Sequence, residues 1–63
     1  MCEANAYLLK ESGIEELVFE NVDKVLPRDD GIVMEDIFGK KKILRARIKE
    51  MALVDHKIIL ETM

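Results

Sequence analysis

The chain has 63 residues, which is enough for a single small domain covering residues 1–63. Domains below about 70–80 residues usually gain stability from a disulfide, a metal or a partner chain. Cys2 is the one cysteine, so an intrachain disulfide is excluded, and a partner chain or a metal remains. Apolar residues make up 49% and charged residues 37%, a composition typical of a folded protein rather than a disordered one.

The charge pattern bears on location and partners. The net charge of −3 disfavours general attraction to nucleic acid. Residues 1–36 carry ten acids against three bases, a charge of −7, and residues 37–63 carry seven bases against three acids, a charge of +4. Opposite charge on the two halves suits ion pairs in a chain that folds back on itself, or between two chains that meet head to tail. The simpler explanation is weak salt bridges between strands on a solvated surface. No segment approaches the about 20 apolar residues of a membrane span, and no secretory signal is present, so we expect a cytoplasmic protein without membrane contact.

Turn-forming residues divide the chain into strand-sized segments. Ser12-Gly13, Asp30-Gly31, Gly39 and Asp55-His56 mark the turns, and Asp-Gly between apolar runs is a strong hairpin signal. The six predicted strands are, in chain order, 4–9, 16–19, 22–26, 32–38, 43–51 and 57–62.

The fifth segment has the clearest strand pattern. Leu44, Ala46 and Ile48 alternate with basic residues, which gives one apolar face and one basic face. Twelve valines and isoleucines also favour strands. The region 14–26 fits a helical stripe as well. We favour two short strands there, because its neighbours along the chain are predicted strands.

Six short strands with tight turns predict an all-β fold, a small antiparallel barrel or sandwich. Closing a barrel would remove the exposed edges that an open sheet of this size presents. Because the core is thin, we expect a homodimer. Met34, Met51 and Met63 are candidates for its apolar face, although methionines at strand spacing are more often core residues.

Catalytic groups are scarce. The chain has one serine, Ser12, one histidine, His56, and one threonine, Thr62. A catalytic triad needs three poised groups from different loops. The isolated glycines do not form a phosphate-binding loop. We therefore predict that the protein is not an enzyme.

Cys2 is the candidate metal ligand. Beside the start of the chain, a thiolate, an amine and backbone amides fall within one or two chelate rings. Amine and thiol both become available near neutral pH, and this donor set favours square-planar Ni(II) or Cu(II). A lone cysteine is usually inert, but a dimer would bring two thiolates together. Removal of Met1 would decide which amine is the ligand.

Two further groups could hold a metal, and for each a structural role is the more common one. His56 follows Asp55 in a predicted turn, where a lone histidine more often bonds to backbone or water. An acidic group lacks the ordered spacing of a calcium loop, and solvated turns and strand faces explain it better. This group consists of Asp29, Asp30, Glu35 and Asp36.

A basic segment supports the alternative function, a small RNA-binding β-barrel module that uses residues 40–49. Six positive charges in ten residues could follow a phosphate backbone, but the segment has no aromatic residues for stacking bases. A solvated face that pairs with the acidic half is the simpler explanation. The charges belong to Lys40, Lys41, Lys42, Arg45, Arg47 and Lys49.

Motifs along nearly the whole chain resemble the CooT family of small nickel-binding proteins. The initial Met-Cys and the Asp-Ile-Phe-Gly turn are the most specific of them. The motifs are Met1-Cys2-Glu3-Ala4, Glu20-Asn21-Val22, Pro27-Arg28-Asp29-Asp30-Gly31-Ile32, Asp36-Ile37-Phe38-Gly39, Ile48-Lys49 and His56-Lys57-Ile58.

The resemblance implies a cytoplasmic homodimer that binds Ni(II) through Cys2. The implied role is that of an accessory protein, a metallochaperone or nickel store for the maturation of carbon monoxide dehydrogenase. The implied partners are nickel and that enzyme or its maturation machinery. Cys2 is the one ligand that the resemblance transfers to this chain.

Overall fold

The fold consists of strands, as the sequence predicts. A computed structural model describes residues 3–63, and in this range the chain forms six strands and no helix. The all-β prediction is confirmed, and the first and last strands have the predicted bounds. The strands are β1 (Ala4–Leu9), β2 (Glu15–Arg28), β3 (Gly31–Asp36), β4 (Lys41–Leu44), β5 (Ala46–Ala52) and β6 (Lys57–Thr62).

All six strands belong to one sheet with the order β4-β3-β2-β1-β6-β5. Four of the five pairings are antiparallel, but β1 and β6 run parallel. The parallel pair was not predicted from the sequence. β4 and β5 form the two edges, and no ladder joins them in residues 3–63. The sheet is therefore open rather than a closed hydrogen-bonded barrel.

β2 is a single strand where two short strands were predicted. It pairs with β1 through residues 15–22 and with β3 through residues 22–28, so its two halves serve different neighbours. Asn21 separates the halves with a φ of 55°, and the register with β1 shifts beside it. Asparagine tolerates this left-handed conformation better than most residues, so the strand bends here without ending.

The predicted fifth strand is divided at Arg45. β4 ends at Leu44 and β5 begins at Ala46, yet the alternation of the segment persists, since Leu44, Ala46 and Ile48 all pack on the core side. One residue thus joins the two edge strands of the sheet. β3 ends at Asp36, two residues earlier than predicted, because the chain turns there.

The core lies on one face of the bent sheet. Its largest fully buried side chains are Ile32, Met34 and Leu60. Met34 is core filler, whereas Met51 and Met63 are exposed. The radius of gyration of 10.9 Å is close to the value of about 10.6 Å for a compact chain of this length. The core cluster consists of Ala6, Phe19, Val22, Ile32, Met34, Ala46, Ile58 and Leu60.

Ion pairs join the acidic and basic halves less than expected. Of the five ion pairs formed by residues 3–63, Lys57–Glu15 is the one that connects the halves. Two pairs of Lys24 and the Lys10–Glu16 pair lie within the acidic half, and Arg47–Glu61 lies within the basic half. Strand register, rather than chain-wide charge, therefore decides which residues meet.

Candidate functional site

A line of hydrogen bonds ties four segments together where the described chain begins. The Ile37 N–H donates to the Asn21 carbonyl at 3.0 Å, and the Asn5 N–H donates to the His56 carbonyl at 2.9 Å. Between these bonds, the Asn21 N–H donates to Asn5 Oδ1 at 3.1 Å. We call this region the N-terminal end; it consists of residues 3–5, the Asn21 bulge and the turns 36–39 and 53–56.

Two residues with positive φ shape the N-terminal end. Asn21 and His56 both have a φ of 55°. The His56 N–H closes its turn onto the Leu53 carbonyl at 3.2 Å, and its carbonyl then receives the Asn5 N–H. No structural role was predicted from the sequence for Asn5 or Asn21. The position of Asn21 between two apolar runs was nevertheless a signal of the bulge.

Asp36 holds the turn 36–39. Its side chain is 7% exposed, and its Oδ1 accepts hydrogen bonds from the N–H groups of Phe38 at 2.9 Å and Lys40 at 2.8 Å. The prediction of solvated faces is thus wrong for this buried acid. Asp29 and Asp30 lie in the turn at the opposite end of β3. The acidic group is therefore divided and does not form one cation site.

Large apolar side chains are exposed at the N-terminal end. Phe38 is 81% exposed and Val54 is 94% exposed, and Ile37 and Leu53 beside them are also exposed. The two turns that carry them are connected through Asn21 and Asn5. Several large apolar side chains exposed close together are typical of a protein contact surface.

Of the two candidate metal ligands, Cys2 and His56, only His56 lies within the described residues. Cys2 lies outside the described residues. His56 is exposed, and its backbone is bonded to Asn5, three residues after Cys2. Within residues 3–63, no group of three or more His, Cys, Asp or Glu side chains could hold a metal ion.

The basic segment 40–49 does not form one cationic face. Lys42 points to the core side and donates from Nζ to the Val18 carbonyl at 2.8 Å. Lys40 Nζ lies 5.8 Å from the centroid of the Phe19 ring, and Arg47 Nε donates to Glu61 at 2.9 Å. Half of the predicted charges are thus held by intramolecular contacts, which weakens the RNA-binding alternative.

Lys57 on β6 contacts one residue on β2 and one on β1. Its Nζ donates to Glu15 Oε1 at 3.1 Å and lies 5.0 Å from the centroid of the Tyr7 ring. The hydrogen bond to Glu15, followed by the charge of Glu15, raises the pKa of Lys57 above its ordinary value. This contact connects β6 to β2 across β1 and stabilises the sheet.

Comparisons with known proteins identify the family. Residues 1–61 match the family model described as CO dehydrogenase accessory protein CooT. A crystal structure of a protein assigned as CooT from Carboxydothermus hydrogenoformans is 45% identical, has a TM-score of 0.88 and is covered over 98% of both chains. An uncharacterised protein of Archaeoglobus fulgidus is 43% identical over 42 residues, which are 67% of this chain and 93% of that protein.

The comparisons and the fold agree along nearly the whole chain, so the resemblance noted in the sequence is confirmed. Among residues 3–63, no helix has the length and apolarity of a membrane span. The chain belongs to the CooT family of CO dehydrogenase accessory proteins.

Proposed function

We propose that the protein is a cytoplasmic Ni(II) carrier or store that binds the ion through Cys2 at the paired N-termini of a homodimer. The ion is cargo destined for CO dehydrogenase, the enzyme named by the family. The single observation that carries the proposal is the N-terminal end, where hydrogen bonds fix Asn5 beside exposed apolar turns.

The exposed apolar turns support the homodimer. Phe38 and Val54 are large side chains that a second copy would cover. Packing two N-terminal ends against each other buries these side chains and brings two Cys2 residues towards each other. Burial of apolar surface contributes about 25 cal/mol for each Å², which would add to the stability of a domain with a thin core.

The donor chemistry supports nickel. A thiolate is a soft ligand, and together with an amine and deprotonated amides it favours a square-planar ion. Two Cys2 thiolates would bind more tightly than one. A site built at a chain terminus exchanges its ion readily, which suits a carrier. A free thiol of this kind also suits a reducing compartment such as the cytoplasm.

The proposal is tested by nickel titration of the wild type and of Cys2→Ser. We expect yellow thiolate-to-nickel charge-transfer bands in the wild type and their loss in the variant, with tight binding lost in calorimetry. His56→Asn is the matched control, because it removes the other candidate metal-ligating side chain, and it should bind as the wild type does. Retained tight binding in Cys2→Ser would refute the proposal.

The homodimer is tested separately by analytical ultracentrifugation. The double variant Phe38→Ser, Val54→Ser should sediment as a monomer. Ile14→Ser changes an exposed isoleucine in the β1–β2 turn, at the far end of β1, and should remain dimeric. Intact mass spectrometry of the same samples determines whether Met1 is present and hence which amine is available. A dimer that survives the double variant would exclude this interface.

A further inference from the structure

A single residue connects the last two strands to the rest of the chain. β5 and β6 form an antiparallel hairpin over residues 46–62, and Arg45 alone separates this hairpin from β4. We call it the C-terminal hairpin. Among residues 3–63, its one ladder to the remaining strands is the parallel pairing of β6 with β1. The hairpin can therefore leave the sheet as one piece when the chain straightens at Arg45.

The sequence around Arg45 favours a straight strand. Leu44, Ala46 and Ile48 alternate with exposed basic residues through the bend, and all three pack on the core side. Because the alternation is not interrupted, an extended Arg45 keeps these three side chains on one face of a continuous strand. The bend is exposed and contains neither glycine nor proline. The local preference for one long strand thus opposes the bend that the closed chain requires.

We infer that two copies of this chain exchange their C-terminal hairpins by straightening at Arg45. β6 of each copy then pairs with β1 of the other, and the contacts of the hairpin are formed again with the partner chain. Such an exchange needs no new complementary surface, since the interface is already present in the closed chain, and a short hinge favours it. The inference is independent of nickel binding and of any contact through Phe38 and Val54.

The exchange makes the N-terminal end a joint structure of two chains. The Asn5 N–H donates to the His56 carbonyl at 2.9 Å, and Lys57 Nζ donates to Glu15 Oε1 at 3.1 Å. Asn5 and Glu15 stay with the body of the chain, whereas His56 and Lys57 move with the hairpin. Both hydrogen bonds therefore become contacts between two chains, and the partner chain supplies the turn 53–56.

Protein concentration and unfolding control the exchange. Departure of the hairpin exposes one edge of the central strand β1 and opens the core around Ile58 and Leu60, so a folded chain exchanges slowly. Association also costs translational and rotational entropy, which favours the closed chain in dilute solution. We therefore expect exchange when the chain refolds at high protein concentration, and a slow return to closed chains after dilution.

A reporter pair of cysteines tests the exchange on non-reducing denaturing gels. Leu9 and Glu61 are partners in the β1–β6 ladder, and neighbouring strands lie about 4.8 Å apart, which is within the range of a disulfide. In a Cys2→Ser background, Leu9→Cys with Glu61→Cys should link two chains after refolding at high protein concentration, and each chain to itself after refolding at low concentration. Leu26→Cys with Val33→Cys is the matched control, since β2 and β3 stay together, and it should remain a covalent monomer at both concentrations.

Two further measurements complete the test. Insertion of two glycines after Arg45 relaxes the hinge and should lower the covalent dimer fraction of the reporter at least fivefold. Isotope-filtered NMR of the wild type, refolded from a mixture of labelled and unlabelled chains, should detect Tyr7 of one chain beside Ile59 of another; this measurement needs no substitution. Covalent monomers at high concentration without this NMR contact would overturn the inference, and so would equal dimer fractions in the reporter and the control pair.

Discussion

The Nζ of Lys42 donates a 2.8 Å hydrogen bond to the carbonyl of Val18, which is 24 residues earlier in the chain. Lys42 is on an edge strand, and Val18 lies in the half of β2 that pairs with β1. The lysine therefore bridges edge strand β4 to a non-neighbouring part of the sheet. Val18 itself has no strand partner in the pairings of β2 that the structure describes.

Replacement of Lys42 should test this bridge. Lys42→Met keeps the length of the side chain and removes the donor. We expect a loss of about 1.5–3 kcal/mol, which is the contribution of a hydrogen bond to a charged group. Urea unfolding measures the change. Lys41→Met on the outer face is the control and should alter the stability by less than about 0.5 kcal/mol; equal effects would refute the bridge.

Gly31 is required where the chain passes close to itself. A Cβ at this position would overlap the backbone carbonyl oxygen of Leu44. Gly31→Ala should therefore destabilise the protein towards the upper end of the about 1–3 kcal/mol that an added methyl group costs in a packed site. Gly13→Ala has free space and a φ of 88°, so it should cost only the about 1 kcal/mol of a left-handed residue. Thermal unfolding compares the two variants.

Asp36 should be more important as a hydrogen-bond acceptor than as a charge. Asp36→Ala leaves the N–H groups of Phe38 and Lys40 without their acceptor, and at about 1 kcal/mol for each bond we expect a loss of about 2 kcal/mol. Asp36→Asn keeps Oδ1 and should retain most of the stability. Chemical denaturation distinguishes the two. A similar large loss in both variants would mean that the negative charge is the essential feature.

His56 should be required for its backbone conformation and not for its imidazole. Asparagine accepts a φ of 55°, so His56→Asn should leave the free energy of unfolding within about 0.5 kcal/mol of the wild type. His56→Val should cost at least about 1 kcal/mol, because a β-branched side chain is strained there. Differential scanning calorimetry provides the comparison. Nickel affinity that falls in His56→Asn would show that the imidazole is a ligand.

Lys57 should make stability depend on alkaline pH. Its pKa is raised above the ordinary value, first by the hydrogen bond to Glu15, so the folded chain holds the proton more tightly than the unfolded chain. The stabilisation is complete below the unfolded pKa of about 10.4 and is lost as the pH rises through the raised folded pKa. Urea unfolding from pH 8 to 11 should show a shallower loss in Lys57→Met than in Lys49→Met.

The strand pattern of the chain could be predicted well where alternation was strong. Lys42 comes two residues before Leu44 and four before Ala46. Because side chains alternate along a strand, this spacing places Lys42 on the same face as those two core residues. The parallel pairing of β1 with β6 could not be predicted, because it joins segments more than 50 residues apart and leaves no local pattern. The division at Arg45 was also hidden, since the alternation continues through it.

For the candidate site, the sequence suggested a metal ligand, whereas the residues around it became known only from the fold. Cys2 was identified from its position and from the resemblance, and its role remains a prediction. The hydrogen bonds of Asn5 with Asn21 and His56 depend on segments that only the folded sheet brings together. Asp36 could have been recognised from the Asp-Ile-Phe-Gly pattern, in which a carboxylate accepts from backbone two residues later.

The parallel pairing of β1 with β6 has a consequence for synthesis of the protein on the ribosome. β1 is a central strand, yet one of its two neighbours is the last strand in the described chain. A nascent chain that ends in β5 still exposes one edge of β1 and lacks the His56 carbonyl that accepts the hydrogen bond from Asn5. The N-terminal end is therefore completed only after the turn 53–56 and β6 have been translated.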